Sequence, residues 1–225
     1  MQRFWHRGKL IMIDQLIRPY LRAGSHLLEI GCGAGNLLLQ ASVAGSYPVA
    51  LDLSMQALQF VHSRMEEAQY GTDAPSGYVC TQAVGESLPF DENVFDCILL
   101  SEVVEHLEAP QISIREAVRV LCPGGRLLVT TPNYRSFWPV MEWTVDRLNM
   151  APKMAGEQHI SRFHLSSLKK MLVDSGLRLE YSGSIYSLSP FLSFLSTARA
   201  NHQLQRELKA RSPFGMILVA VAVKP

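Results

Sequence analysis

A doubly wound α/β sheet, seven-stranded and mostly parallel, with a small helical cap, is the fold class this sequence predicts. Three observations carry it. Short apolar runs alternate with helix-period stretches along most of the 225 residues. A turn with three glycines, Gly31-Cys32-Gly33-Ala34-Gly35, follows the first apolar run. An acid, Asp52, closes the second. Strands that alternate with helices imply a parallel sheet with helices on both faces.

The elements follow in order. Leu10, Ile13, Leu16, Ile17 and Leu21 recur at helical spacing and predict a helix over residues 3 to 22, with Pro19 near its end. Strands are expected at 26 to 30, 48 to 53, 77 to 84 and 95 to 101. Helices at 37 to 44 and 55 to 70 lie between the first three. A helix over 110 to 121 is ended by Pro123-Gly124-Gly125, a strong stop signal, and a fifth strand runs from 126 to 131. Residues 133 to 163 break the rhythm. Phe137, Trp138, Met141, Trp143, Met150 and Met154 stand there with few strand signals, so an inserted helical cap is expected. A helix over 165 to 175, a strand over 177 to 186, a mostly helical stretch over 190 to 211 and a strand over 214 to 224 complete the chain. No internal repeat or linker divides it, and residues 1–225 read as a single domain carrying the 133–163 cap.

Composition narrows the function classes. Apolar residues make up 48% and charged residues 18%, which is globular rather than disordered. A net charge of +1 without a basic tract argues against a nucleic-acid binder. Cys32, Cys80, Cys97 and Cys122 are far apart and read as reduced, mostly strand-buried thiols, not a zinc site or disulfide frame. The first residues show no signal-peptide core, and no apolar run approaches a membrane span, so a cytoplasmic protein is expected. The oligomeric expectation is a monomer or homodimer.

Glycine costs conformational entropy, so three in five residues imply a sharp turn or close approach of bare backbone to a ligand. A tight turn without a ligand is the plain reading. The stronger one is nucleotide binding at the start of a helix, beyond the carboxyl ends of the strands. Asp52 is then placed to accept from a ribose diol. The dinucleotide fingerprint needs glycine or alanine at position 36, where this chain has Asn36. Glu29, two residues before the turn, would repel a pyrophosphate and attract an ammonium group. A ligand with a ribose and a cationic end fits better than a nicotinamide dinucleotide.

These residues resemble a family. Glu29-Ile30-Gly31-Cys32-Gly33-Ala34-Gly35 is similar to the first motif of class I S-adenosylmethionine-dependent methyltransferases, and Asp52 to their ribose-binding acid. Gly85-Glu86-Ser87-Leu88-Pro89-Phe90 with Phe95-Asp96, then Ser101-Glu102-Val103-Val104-Glu105-His106-Leu107 and Leu121-Cys122-Pro123-Gly124-Gly125, resemble the later motifs. The resemblance covers residues 25 to 132 and implies the seven-stranded methyltransferase sheet with an antiparallel last strand. It also implies S-adenosylmethionine as cofactor, held by Glu29, Gly31, Gly33, Gly35, Asp52, Leu53, Val84, Gly85, Glu86 and Ser101. Many relatives carry an acid where this chain has Val84. Adenine would then be met by backbone near Val84 and Gly85, with Glu86 either contributing or standing as a solvated loop acid.

The second half is more loosely similar to small-molecule methyltransferases of the ubiquinone-biosynthesis O-methyltransferase type. It rests on Thr130-Thr131-Pro132-Asn133-Tyr134-Arg135, Gln158-His159-Ile160-Ser161-Arg162-Phe163-His164, Leu168 and the Ser175-Gly176-Leu177 turn. The expected activity is methyl transfer to a small, mainly apolar acceptor, aromatic or lipid-like, most naturally at oxygen. Transfer to carbon or nitrogen, a nicotinamide oxidoreductase, and a non-catalytic partner of the same fold remain as alternatives. Tyr134, Phe137, Trp138 and Trp143 either line an acceptor pocket or fill the cap's own core; Tyr134, Trp138, Trp143 and His159 are the expected acceptor contacts. The apolar stretch 185–195 packs on the cap, forms a dimer seam or touches lipid. Trp5 and His6 either close over the cofactor or are a capping aromatic and a surface histidine.

The turn after strand four carries the chemistry expected of the chain. In a helical turn, Glu102, Glu105 and His106 share a face. His106 has a near-neutral unperturbed pKa and is the expected general base, with Glu105 beside it. A divalent metal held by these groups and His159 is the second reading; ordinary capping and loop bonds explain the same spacing without one.

Overall fold

The computed structural model describes residues 2–43, 45–69, 77–148, 159–193 and 195–225. The side chains of residues 2–7, 68, 69 and 145 lie outside that description, and with them the roles expected of Trp5 and His6. Met150 and Met154 of the expected cap lie outside it too.

The chain opens with α1 (Gln2–Leu16), followed by β1 (His26–Ile30), α2 (Asn36–Ala41), β2 (Tyr47–Asp52), α3 (Met55–Gln69), β3 (Val79–Gln82), β4 (Phe95–Ser101) and α4 (Pro110–Val120). Then come β5 (Leu121–Pro132), α5 (Trp138–Arg147), α6 (Leu165–Asp174), β6 (Arg178–Ile185), α7 (Ser189–Leu192), α8 (Thr197–Ala210) and β7 (Ile217–Val223). One seven-stranded sheet has the order β3-β2-β1-β4-β5-β7-β6. Strands β1 to β5 pair in parallel, and β7 runs antiparallel between β5 and β6. This is the sheet expected from the sequence, antiparallel last strand included.

The differences have local causes. The first helix stops at Leu16, and Arg18–Tyr20 form a 3-10 turn around Pro19, whose ring cannot continue an α-helix. The stop signal at Pro123-Gly124-Gly125 does end α4, yet these residues belong to β5. Pairing jumps from Phe95↔Leu121 to Cys97↔Arg126, so Cys122–Gly125 loop out as a bulge. The 190–211 stretch divides into α7 and α8, with Ser196 capping the second through the Arg199 N–H. Of the four cysteines, Cys32 lies in the glycine turn rather than a strand, and Cys80 and Cys122 are only half-buried; all four are free.

The sheet has a core on each face. Met12 and Ile13 of α1, Ile17 just after it, Leu38 of α2 and Val61 of α3 pack one side with Leu27, Leu99 and Val219. Ile114 and Val120 of α4 and Leu168 and Leu172 of α6 pack the other with Leu28, Ile98 and Leu127. Each of these side chains contributes about 1.5–3 kcal/mol by leaving water. The frame thus fixed brings the carboxyl ends of β1 and β4 together, where the strand order reverses. That is where open α/β sheets bind ligands.

Candidate active site

The turn after β1 is built for close approach. Gly31 has φ +67, and a Cβ there would sit 2.5 Å from Val103 Cγ2. Gly33 has φ +50 and nothing within 4 Å of where a Cβ would be, so that side of the loop is open. Its N–H donates to Asp52 Oδ2 at 2.9 Å, and the other carboxylate oxygen accepts the Ser54 N–H at 2.9 Å. Arg64 of α3 ties the loop down by donating to the Ala34 carbonyl and to Asn36 Oδ1.

A cavity of about 330 Å³ opens beside this loop, lined by Lys9, Glu29, Gly33, Ser101 and Glu102 among others. Glu29 projects from β1, is buried, and accepts the Leu38 N–H of α2 at 2.9 Å. Burial pushes its carboxyl up to about 8; the Leu38 N–H and Lys9 pull it down, and Asp52 adds to the rise. Across the cavity, Lys9 Nζ meets Glu102 Oε1 at 2.9 Å. Ser101 is held by a hydroxyl contact with Thr130 at 2.9 Å.

The structure therefore brings Glu29, Gly31, Gly33 and Ser101 to one cavity, with Gly35 turning the loop into α2. The expected ribose and adenine residues border it rather than line it. Asp52 reaches it through Gly33. Gln82 Nε2 donates to the Leu53 carbonyl and the Ala83 N–H to the Asp52 carbonyl, which sets the 84–86 loop beside the end of β2. Leu53 and Val84 are 67% and 43% exposed there, Glu86 is half-buried, and Gly85 leaves no room for a Cβ against Ser113.

A second group lies past the end of β4. Glu102 has φ +57, so no helical turn spans 102 to 106; the 3-10 turn covers only Val104–His106. The expected common face of Glu102, Glu105 and His106 is thus corrected: Glu102 turns to Lys9, and the group that forms is Glu105, His106 and His159. One carboxylate oxygen and one ring nitrogen from each histidine lie within 4.8 Å of one another. The backbone explains the meeting. Both the Ile160 and Ser161 N–H groups donate to the Glu105 carbonyl at 2.9 Å, and Ser161 Oγ donates to the Leu107 carbonyl.

Glu105 is almost wholly buried; Oε2 accepts from Thr131 Oγ1 at 3.0 Å, while Oε1 has no hydrogen-bond partner among the described residues. Burial foremost, then Glu102, raises its carboxyl to about 8 against the Thr131 hydroxyl and Lys9. His106 is exposed, and its ring lies 5.2 Å from that of His159. His159 is buried, with Nδ1 at 2.6 Å from Glu142 Oε1 and 3.0 Å from the Tyr134 hydroxyl. Trp138 is buried with its ring 6.0 Å from His159.

Of the acceptor contacts expected from sequence, Tyr134, Trp138 and His159 join this group. Trp143 does not: it is 65% exposed, five residues along α5 from Trp138, and a 3.6-residue turn carries it to the outer face. Sequence reasoning missed Lys9, Arg64 and Glu142. Two of these left a signal. Lys9 stands three and four residues before the buried Met12 and Ile13, and Glu142 stands four after the buried Trp138. Each is a charge on a helix face that also carries buried apolar residues.

Seven strands in this order, with a glycine loop and an acid-closed second strand at the switch point, define the class I methyltransferase fold. Residues 28–129, just under half of the chain, match the methyltransferase domain family. Among curated relatives, it is 28% identical over 159 residues to the ubiquinone biosynthesis O-methyltransferase of Coxiella burnetii, covering 69% of this chain and 64% of that one. It is 36% identical over 130 residues to the ubiquinone/menaquinone biosynthesis C-methyltransferase UbiE of Hahella chejuensis, covering 56% and 48%. The chain thus spans less than two thirds of the length of these relatives. The crystal structure of the YcgJ protein of Bacillus subtilis shares the fold, with a TM-score of 0.64, 21% identity, and 97% and 98% of the two chains covered. No helix among the described residues is long and apolar enough to cross a membrane.

Proposed function

We propose that this chain transfers a methyl group from S-adenosylmethionine to the oxygen of a small, mainly apolar acceptor, aromatic or lipid-like. The observation that carries the proposal is the cavity at the switch point, with a buried carboxylate on one wall and an open glycine loop on the other. Lys9, turned to Glu102, offsets the burial of Glu29 only in part, and the carboxyl stays raised at about 8; the ammonium of a methionine moiety supplies the cation that pairs with it. Asp52 takes the ribose hydroxyls, and backbone near Val84 and Gly85, with Glu86, meets the adenine. When bound, the cofactor supplies a methyl electrophile whose bond to sulfur breaks toward sulfur as the new bond forms.

The chain's part is then positioning and proton removal. Tyr134 and Trp138 form the acceptor wall, and the cap that begins at residue 133 covers it. The imidazoles of His106 and His159, beside Glu105, take the proton of a hydroxyl nucleophile. These bases favour oxygen over carbon as the methylated atom, although the curated relatives include both kinds.

Calorimetry with S-adenosylhomocysteine tests the reading. Micromolar binding supports it, binding of NADH instead supports an oxidoreductase, and no binding supports a non-catalytic protein of the same fold. Incubation with cofactor and a panel of phenols, quinols, amines and fatty acids, read by mass, then identifies the acceptor. The divalent-metal reading has Glu105 Oε1 in its favour, a buried oxygen left without a donor among the described residues. Loss of transfer in EDTA, restored by Mg²⁺ or Mn²⁺, would establish it; full transfer in EDTA assigns the group to acid–base work.

A further inference from the structure

The buried face of α5 and the closing part of the cap around His159 meet in an arrangement that the proposed methyl transfer does not by itself require. Glu142 is buried, and its Oε1 lies 2.6 Å from His159 Nδ1 and 2.8 Å from the Tyr134 hydroxyl, which donates to it. The same hydroxyl oxygen lies 3.0 Å from Nδ1. Nδ1 therefore faces a carboxylate oxygen and a phenol oxygen whose proton is already directed elsewhere. With the phenol proton on Oε1 and the carboxylate ionised, neither donates to Nδ1, and this arrangement places the ring proton on Nδ1. A bare nitrogen there would set its lone pair against a carboxylate at hydrogen-bond distance, with no water to separate them. The proton on Nδ1 leaves Nε2 with the lone pair, on the ring that stands beside His106 and Glu105.

We propose that Glu142 is a positioning residue that locks His159 in the Nδ1–H tautomer, so that His159 Nε2 is the atom that takes the acceptor's hydroxyl proton. The inference rests on the methyl-transfer reading above and names the base within it. As the acceptor oxygen gains its bond to the methyl carbon, its proton passes to Nε2. The imidazolium that forms keeps its Nδ1–H on Glu142, whose negative charge stabilises it. Tyr134 fills the rest of Oε1, so the carboxylate has both donors in place before the acceptor arrives. His106, exposed at the mouth, is placed to pass the proton on to solvent.

The test reads the ring itself and needs no acceptor. The protein, saturated with S-adenosylhomocysteine, is labelled with ¹⁵N in its seven histidine rings, and long-range proton–nitrogen spectra are recorded at pH 7.5. The His159 signals are those that vanish in His159→Gln. The expected result is one protonated nitrogen, Nδ1, and an unprotonated Nε2. In Glu142→Met, the Tyr134 hydroxyl is released to donate to Nδ1, and the Nε2 resonance should move to the protonated position. Glu142→Gln, which keeps an acceptor oxygen, should hold the original tautomer. An Nε2–H or doubly protonated ring in the parent protein overturns the proposal, and so does an unchanged tautomer in Glu142→Met. If Glu142→Met does not fold, the parent spectrum alone still decides. S-adenosylhomocysteine affinity is measured on the same samples; its absence would sink the methyl-transfer reading, whereas the ring spectrum judges only the role of Glu142.

Discussion

The Glu29 carboxylate accepts the Leu38 N–H at 2.9 Å and so joins the first strand to the helix that the glycine turn starts. A buried acid with one such bond and a lysine across the cavity stays raised, at about 8. The sign of its effect on stability follows. The folded value lies above the unfolded one, so the stabilisation is complete below the unfolded value of about 4.5 and is lost as pH rises toward 8. Glu105 acts in the same direction. Urea melts of the ligand-free protein should therefore weaken from pH 5 to 8, and Glu29→Gln should flatten part of that slope. A bound ammonium group reverses the preference and ionises Glu29. Cofactor binding at pH 7 should then release close to one proton, read from calorimetric enthalpies in buffers of different ionisation enthalpy. Glu29→Gln should release none. Equal release by both proteins would separate Glu29 from the ammonium.

The glycine loop after β1 and the turn after β4 touch through Gly31 and Val103. Gly31→Ala sets a β-carbon in a left-handed conformation, about 1–2 kcal/mol, and drives it into Val103, for a total of about 2–4 kcal/mol. Adding Val103→Ala should recover the packing part and leave the backbone part. If the double variant is no more stable than Gly31→Ala alone, the two loops are not coupled by this contact.

What the sequence disclosed follows from which interactions are local. The seven strands, the glycine turn and the acid after strand two are set by periodicity and turn chemistry within a few residues, and all are found. Pro19 broke the first helix early because a ring clash outweighs a continuous apolar stripe. The Glu102 side chain was misplaced because helical spacing was assumed where the backbone turns left-handed, a choice made by packing around Lys9 and Thr130. Glu142 and Lys9 show in the sequence as charges beside apolar helix positions, but not as site residues, because His159 and Glu102, which they meet, lie 17 and 93 positions away. His159 is grouped with Glu105 and His106 by the metal reading of the sequence, but its bond to Glu142 and the bonds from Ile160 and Ser161 to Glu105 that bring it there are long-range and leave no local signal.

The proposed ribose contact and the bonds from Gly33 and Ser54 both fall on Asp52, and its substitution should separate them. Asp52→Ala should weaken S-adenosylhomocysteine binding by about 1–3 kcal/mol, the cost of leaving buried hydroxyls without an acceptor. The Gly33 and Ser54 N–H groups lose a partner too, but both bonds are exposed, so water replaces it and the melt should move by less than about 1 kcal/mol. Calorimetry and thermal melting on one sample separate the two. Binding as tight as the parent's would remove Asp52 from the ribose.

The turn from β6 into α7 hangs on one carboxylate from α8. Glu207 is buried, and it accepts the backbone N–H groups of Tyr186, Leu188 and Ser189 at 2.8 to 2.9 Å and the Ser189 hydroxyl at 2.9 Å. Ser187 N–H adds a longer bond at 3.3 Å. Burial alone would raise this carboxyl, but the donors outweigh it and hold the group below its ordinary value. Its stabilisation is therefore present at neutral pH and lost as pH falls through the depressed folded value, opposite in sign to Glu29. Glu207→Gln turns an N–H₂ toward backbone donors and should cost about 3 kcal/mol or more at pH 7, since a buried set of donors is left facing another donor. Glu207→Ala should cost at least as much and adds a cavity. Urea denaturation at pH 7 and again near pH 3 gives the decisive comparison. The gap between the parent and Glu207→Gln should narrow in acid, because the protonated parent carboxyl also brings a donor to the turn. A gap that stays constant across that range would mean that shape, not charge, is what Glu207 contributes.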